Sequence, residues 1–133
     1  CWGNNSYGQL GDGTKIHRFS PGKVSGGNSW ASVSAGQYHT CGVTTAGEAY
    51  CWGLNFLGDG TTAQRTIPML VSGGNSWASV SAGQYHTCGV TTAGEAYCWG
   101  YNDNGQLGDG TDAQRTTPML VSGTYSWALV STG

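Results

Sequence analysis

The sequence predicts an all-β protein, about 2.7 four-stranded blades of a larger β-propeller. Three observations predict it. First, the stretch "VSGGNSWASVSAGQYHTCGVTTAGEAYCWG" at Val24–Gly53 recurs letter for letter at Val71–Gly100. Second, the repeat length falls in the forties and carries no helical pattern, which suits one small antiparallel sheet per unit. Third, glycine is abundant at 24 residues and only 9% of residues are charged. Ser, Thr, Val, Tyr and Trp are common, and that mixture favours short strands and tight turns.

The unit length is 47 residues from Val24 to Val71, and 50 from Cys1 to Cys51 or from Val80 to Val130. The difference lies in one loop. "GNNSYGQLGDGT" (Gly3 to Thr14) and "GYNDNGQLGDGT" (Gly100 to Thr111) match in length, whereas "GLNFLGDGT" (Gly53 to Thr61) is three residues shorter. The divisions expected are a partial unit 1–23, units 24–70 and 71–120, and the start of another at 121–133.

Each unit reads as four extended runs. "SWASVSAG" is the first. "HTCGVTT" and "EAYCWG" are the second and third, joined by a tight turn. The fourth, "TPMLVSG", follows a long Gly/Asp/Asn loop. Pro68 and Pro118 are expected to lead the fourth run, and a proline is best tolerated in an edge strand.

The second and third runs fix a register. The segment between Cys41 and Cys51 is centred on Ala46, so a three-residue turn Thr45-Ala46-Gly47 fits, with Gly47 in the left-handed conformation such loops need. Folding about that centre pairs Val43 with Ala49, Gly42 with Tyr50, and Cys41 with Cys51. Directly opposed residues of antiparallel strands lie within disulfide range. Cys88 and Cys98 repeat the arrangement. Disulfides here imply an oxidising compartment, extracellular or at a cell surface. Cys1 occupies the second cysteine position of its unit, and its partner would lie ten residues upstream. The expectation is therefore an excerpt of a longer array. The alternative is a short chain that completes a ring by association.

"VSAGQYHTCGVTTAGEAYCWGYNDNGQLGDGT" resembles the repeat of the regulator of chromosome condensation family: a Gly, then His-Thr, then Gly before an aromatic, then Trp-Gly, Asn and "GQLGDGT". The resemblance covers essentially the whole chain. It implies a β-propeller, most often of seven blades, and the paired cysteines look like the bacterial secreted and surface variety. Function within the family varies. The nuclear founder is a nucleotide exchange factor for a small GTPase that docks on chromatin, but no basic tail of that kind occurs here. A plant ultraviolet photoreceptor of the family stacks tryptophans in Gly-Trp-Arg-His-Thr. Here Gln37 and Tyr38, and Gln84 and Tyr85, stand in place of Trp and Arg, so the chromophore is missing. A secreted bacterial β-lactamase inhibitor of the family uses loops at one end of the propeller as a binding surface.

The net charge of −2 offers no field for nucleic acid or anionic lipid, and no apolar run is long enough to enter a bilayer as a helix. His39 with Cys41, and His86 with Cys88, have the residue types of a nucleophile and its base. Positions i and i+2 of a strand share a face without bonding well, however, and the thiols are expected to be oxidised, so no catalytic residue is assigned. Cys-x9-Cys is not a zinc spacing, and no metal or other cofactor is expected. Asp103, Asp109 and Asp112 could offer calcium ligands, but the alternation of a calcium loop is missing and Asn, Asp and Gly are ordinary turn residues. "NNS" at Asn4–Ser6 fits a glycosylation sequon. The six tryptophans, at two fixed positions per unit, read as packing between blades.

The units differ mainly in their loops, which is how a binding face is built on a fixed scaffold. Tyr7, His17, Arg18, Phe56, Tyr101 and Asp103 are the candidate contacts. The function expected is a non-enzymatic extracellular or surface scaffold that binds a protein or glycan. The alternatives are a building block of an extracellular fibre or surface assembly, with self-association or further blades of the same parent chain, and a secreted enzyme inhibitor.

Overall fold

A computed structural model describes residues 1–133. Eight strands form two four-stranded antiparallel sheets, each in sequence order. The first blade holds β1 (Trp30–Ala35), β2 (His39–Thr44), β3 (Ala49–Gly53) and β4 (Arg65–Leu70). The second holds β5 (Trp77–Ala82), β6 (His86–Thr91), β7 (Ala96–Gly100) and β8 (Arg115–Leu120). The all-β expectation and the four strands per unit both hold.

The β2–β3 hairpin has the register read from the sequence: Cys41 faces Cys51, Gly42 faces Tyr50 and Val43 faces Ala49. The turn closes through Gly47 N donating to Thr44 O at 2.9 Å, and Gly47 has φ 82°, the left-handed region where a side chain is disfavoured. The Cys41 and Cys51 Cα atoms are 4.1 Å apart and the sulfurs are bonded. Cys88–Cys98 has the same separation. Cys1 has a free thiol.

The fourth run departs from its expected form. Pro68 and Pro118 stand in the middle of β4 and β8 instead of leading them. The reason lies in the ladder. β3 pairs with β4 at Tyr50–Leu70 and Cys51–Met69, then shifts register before Gly53–Arg65. The proline falls where the regular pairing is interrupted, in an outermost strand, so its missing N–H leaves no ladder bond unmade.

The larger interior is shared between the blades, and the second blade adds a small cluster of Cys88, Cys98 and Leu107. One apolar cluster joins Cys41, Val43, Ala49 and Cys51 of the first blade to Trp77, Ala82 and Trp99 of the second. β1 and β2 pack against β5. The contact is closest at the inner tips: Gln37 N donates to Gly83 O, and Ala82 N donates to Ser34 Oγ at 3.0 Å. Residues 121–133 carry no strand, yet Thr132 N donates to Ser81 Oγ at 3.0 Å and so repeats that contact one unit later. A strap also runs between blades on the outside. Gly13 N donates to Thr66 O, and Gly60 N donates to Thr116 O, so each Gly-Asp-Gly loop holds the outer strand of the following blade.

A Cβ placed on Gly36 would lie 2.2 Å from Gly83 O, a distance real atoms do not reach. Gly36→Ala is therefore expected to force the two blades apart and lower the unfolding free energy by about 2 kcal/mol or more. Urea unfolding followed by tryptophan fluorescence measures it, and an unchanged midpoint would contradict the close approach.

Candidate functional site

The loops sort into two ends. At one end lie the β2–β3 and β6–β7 turns, Thr45–Gly47 and Thr92–Gly94, small and closely alike. At the other lie the β1–β2 and β5–β6 tips, 36–38 and 83–85, beside the long β3–β4 and β7–β8 loops. Leu54 N donates to Tyr38 O and Tyr101 N donates to Tyr85 O, both at 3.0 Å, so tips and long loops form one surface. Most of the sequence differences between units fall on this end, although Gly74-Asn75 against Thr124-Tyr125 differ at the other.

Four tyrosines line it in continuous contact. Tyr7 meets Tyr38 edge to face at 5.5 Å, Tyr38 stacks on Tyr85 at 5.1 Å, and Tyr85 leans on Tyr101 at 6.2 Å. Tyr85 is 43% exposed, and the other three are half-buried. The Gln37 carboxamide donates to Tyr38 Oη at 3.1 Å. Tyr101 Oη donates to Asp103 Oδ2 at 2.5 Å. Neighbouring hydroxyls raise the Tyr85 phenol above its ordinary range, through a hydrogen bond with Tyr38 first and burial second, and the Asp103 hydrogen bond raises Tyr101. Both phenols keep their protons at neutral pH.

The long loops are held from within. Asn5 is fully buried: its Nδ2 donates to Thr14 O and Ile16 O, and its Oδ1 accepts from Leu10 N. Asn102 makes the same three bonds with Thr111, Ala113 and Leu107. In each unit an aspartate pairs with the arginine six residues on: Asp12 with Arg18, Asp59 with Arg65, and Asp109 with Arg115, at 2.7–3.0 Å. Burial would raise the Asp12 carboxyl, but hydrogen bonds from Thr14 and Arg18 outweigh it and hold it at about 2. The Thr111 hydrogen bond, with Arg115, holds Asp109 at about 2.

These facts place the candidate residues. Tyr7 and Tyr101 join the tyrosine row, and Asp103 lies beside Tyr101. Arg18 is tied to Asp12, and His17 Nδ1 accepts from Asn5 N at 2.9 Å, so both brace the first loop. Phe56 belongs to the shortened loop and makes none of the aromatic contacts of the row. Tyr38 and Tyr85, the middle of the row, are absent from the list that sequence variation supplied, because the two copies are identical there. No three His, Cys, Asp or Glu side chains converge as metal ligands. Of the calcium candidates, Asp109 faces Thr111 and Arg115, while Asp103 faces Tyr101 and Gln114.

The shortened loop has a local cost. Gln9 O accepts from Trp52 Nε1 and from Thr40 Oγ1, both at 2.9 Å. The counterpart of Gln9 in the next unit is Phe56, which follows Asn55 into left-handed φ values of 47° and 42°. The Phe56 carbonyl accepts no bond from Trp99, and the fully buried Trp99 indole is left with no partner for Nε1. Gln64 Nε2, in the same loop, is also unpartnered.

The residues of the "HTC" pair serve the joint between blades. Cys41 is bridged to Cys51, and His39 Nε2 meets Thr87 Oγ1 of the next blade at 2.7 Å.

Comparison with known proteins agrees with this architecture. The family model described as "Regulator of chromosome condensation (RCC1) repeat" matches residues 1–43, 46–90 and 93–133, and a second model of the same description matches 30–59 and 77–106. The chain belongs to the regulator of chromosome condensation repeat family. Among solved structures, human WBSCR16 superposes with a TM-score of 0.86 at 23% identity, over 99% of this chain and 37% of that one. Prp20p of Saccharomyces cerevisiae, described with its binding to Gsp1p and histones, gives 0.84 at 23% identity over 99% and 36%. Yeast RCC1 (Prp20) bound to Kap60 gives 0.78 at 23% identity over 92% and 32%. At such identities the likeness establishes the shared β-propeller fold. The chain spans about a third of the length of each.

Two outcomes follow. Burial, with a smaller effect of His86, pushes the His39 imidazole down to about 4 from its ordinary 6.5. Above pH 6.5 the ring is neutral folded and unfolded. Between 6.5 and about 4 only the unfolded chain gains the proton, so the His39 contribution to stability falls on acidification through that window and itself levels off below it. The expected loss at pH 4 is about 3 kcal/mol, read from urea midpoints across the range, and His39→Gln should flatten the profile. Separately, replacing Leu54–Phe56 by the longer sequence of Tyr101–Gln106 should return an acceptor to Trp99 Nε1 and stabilise the chain by about 1–2 kcal/mol, measured by the same unfolding.

Proposed function

We propose that the chain is a non-catalytic binding module of an extracellular or cell-surface compartment, part of a larger ring, that holds a protein partner against the tyrosine-lined end of its blades. The observation that carries this reading is the row Tyr7–Tyr38–Tyr85–Tyr101, four rings in contact across two blades on the end where the loops vary. Tyrosine gives a large contact area at low entropic cost with a polar tip, which is why it is enriched at the centres of protein interfaces. The compartment is supported by the two disulfides, which persist in oxidising surroundings. The non-catalytic reading is supported by the joint: in each "HTC" pair the cysteine is bridged. Among proteins sharing the fold, Prp20p binds Gsp1p and histones and is also seen with Kap60, so partners of protein type have precedent on this scaffold.

A protein is favoured over a glycan by the use of the rings. Sugars stack on free aromatic faces, whereas Tyr38 and Tyr85 already lie face to face. A second reading, lateral assembly into a fibre or surface layer, draws on the outer strands, where Ile67, Leu70 and Leu120 are each about half exposed. The two readings separate by experiment. Tyr38→Ala with Tyr85→Ala should weaken binding of a protein partner at least tenfold, or about 1.4 kcal/mol, in calorimetry, with the circular dichroism unchanged. Assembly driven by the outer strands would survive that double variant and be abolished by Ile67→Thr with Leu120→Thr in analytical ultracentrifugation.

A further inference from the structure

The tyrosine row is not uniform along its length. At its second-blade end, Tyr101 leans on Tyr85 and its hydroxyl meets a carboxylate, Asp103, that two side chains orient: Tyr101 Oη donates to Oδ2, and Gln114 Nε2 donates to Oδ1 at 3.3 Å. No cation neutralises it. Each of the three arginines is tied to an aspartate of its own loop, Asp12, Asp59 or Asp109. Asp112, three residues before the start of β8 at Arg115, is likewise without an ion partner, and the two lysines of the chain, Lys15 and Lys23, belong to the first 23 residues. The arrangement occurs once. In the first loop the positions of Tyr101, Asp103 and Gln114 are Asn4, Ser6 and His17, and the shortened loop has Leu54 and no counterpart of Asp103.

From this we infer that the second-blade end of the row is a subsite for a lysine or arginine side chain of the protein partner, seated against Tyr85 and Tyr101 with its charge on Asp103. A cation lying on an aromatic face is attracted by the ring quadrupole, and Tyr101, bonded to the carboxylate, presents such a ring with the exposed Tyr85 ring next to it. An oriented carboxylate at the end of an aromatic row and lacking a counter-charge is complementary to a cationic head on an apolar stem, which describes both side chains. An anionic group would meet the Asp103 carboxylate with no paired cation to balance it. Because the site is exposed, such a contact sets which segment binds, and in what register, more than how tightly. The inference rests on the tyrosine-lined end being the binding end.

The test uses the whole chain with 13C-labelled tyrosine. It is titrated by NMR with the peptide acetyl-Ala-Ala-Arg-Ala-Ala-amide and with its citrulline and glutamate counterparts. The arginine peptide should shift the ring signals of Tyr85 and Tyr101, and the citrulline peptide should bind about fivefold more weakly, a difference of about 1 kcal/mol. Asp103→Asn, which keeps the shape and the acceptor for Tyr101, should reduce the arginine peptide to the citrulline level. Salt should weaken only the arginine peptide. Equal binding of arginine and citrulline peptides, preference for glutamate, or no shift of Tyr85 and Tyr101 at about 10 mM peptide, where even a weak site fills, would each overturn the subsite. Displacement of the arginine peptide by tetramethylammonium at equal concentration would also overturn it, by assigning the site to a small cation. A partner that loses binding on Tyr38→Ala with Tyr85→Ala but ignores Asp103→Asn leaves the binding end standing and removes the subsite alone.

Discussion

Everything in this molecule depends on one blade being pressed against the next. A four-stranded sheet of about forty residues cannot bury enough surface to order itself, and here the shared cluster supplies what each lacks. Cys41 and Cys51, at no exposure, share one cluster with Trp77 and Ala82 of the neighbouring sheet. His39 reaches across to Thr87, Ser34 caps Ala82 N, and the inner tips meet at Gly36 and Gly83 with no room for a methyl group. The disulfide strengthens this arrangement from within the sheet. It restrains the unfolded hairpin and contributes about 2–4 kcal/mol, while the joint orders the face that the hairpin offers.

The same joint makes the candidate site. Because adjacent blades are related by a fixed step, the tips that carry Tyr38 and Tyr85 arrive within stacking distance, and rings from two separate sheets become one row. The long loops complete it. Their internal bracing through Asn5, Asn102 and the aspartate–arginine pairs means that Tyr7 and Tyr101 are presented on ordered loops rather than loose chain. Preorganisation of that kind lowers the entropic cost of binding. The buried asparagines thus act on function at one remove, by holding the backbone that holds the aromatic rings.

Much of this was legible in the residues alone. The thirty-residue duplication with a period in the forties dictates sheets that stack, and the hairpin register followed from symmetry about Ala46, down to Cys41 facing Cys51. Local rules reached that far because a tight antiparallel turn has few solutions. They did not reach Pro68, whose place inside β4 depends on a register shift set by the opposing strand. Nor did they reach Tyr38 and Tyr85. Comparing units draws attention to what differs, and these two positions are identical; their signal was an aromatic following the Gly-Gln tip of every first strand. Arg18 and His17 stood out because the stretch around them, Lys15 to Lys23, differs between units, but their bonds to Asp12 and Asn5 arise from a loop that doubles back on itself, and spacing alone does not reveal that.

The duplicated stretch also has a consequence for assembly. Where Val24–Gly53 and Val71–Gly100 are the same sentence, the joint between them carries no address: the face that accepts the second sheet would accept the same sheet from another molecule equally well. What selects the intended neighbour is tethering, since a connection of six residues between Leu70 and Trp77 keeps the following sheet at a local concentration on the order of millimolar. Fidelity is therefore a matter of dilution. At crowding that rivals the tether, chains built this way trade sheets with one another, a hazard to which repeat architectures are prone.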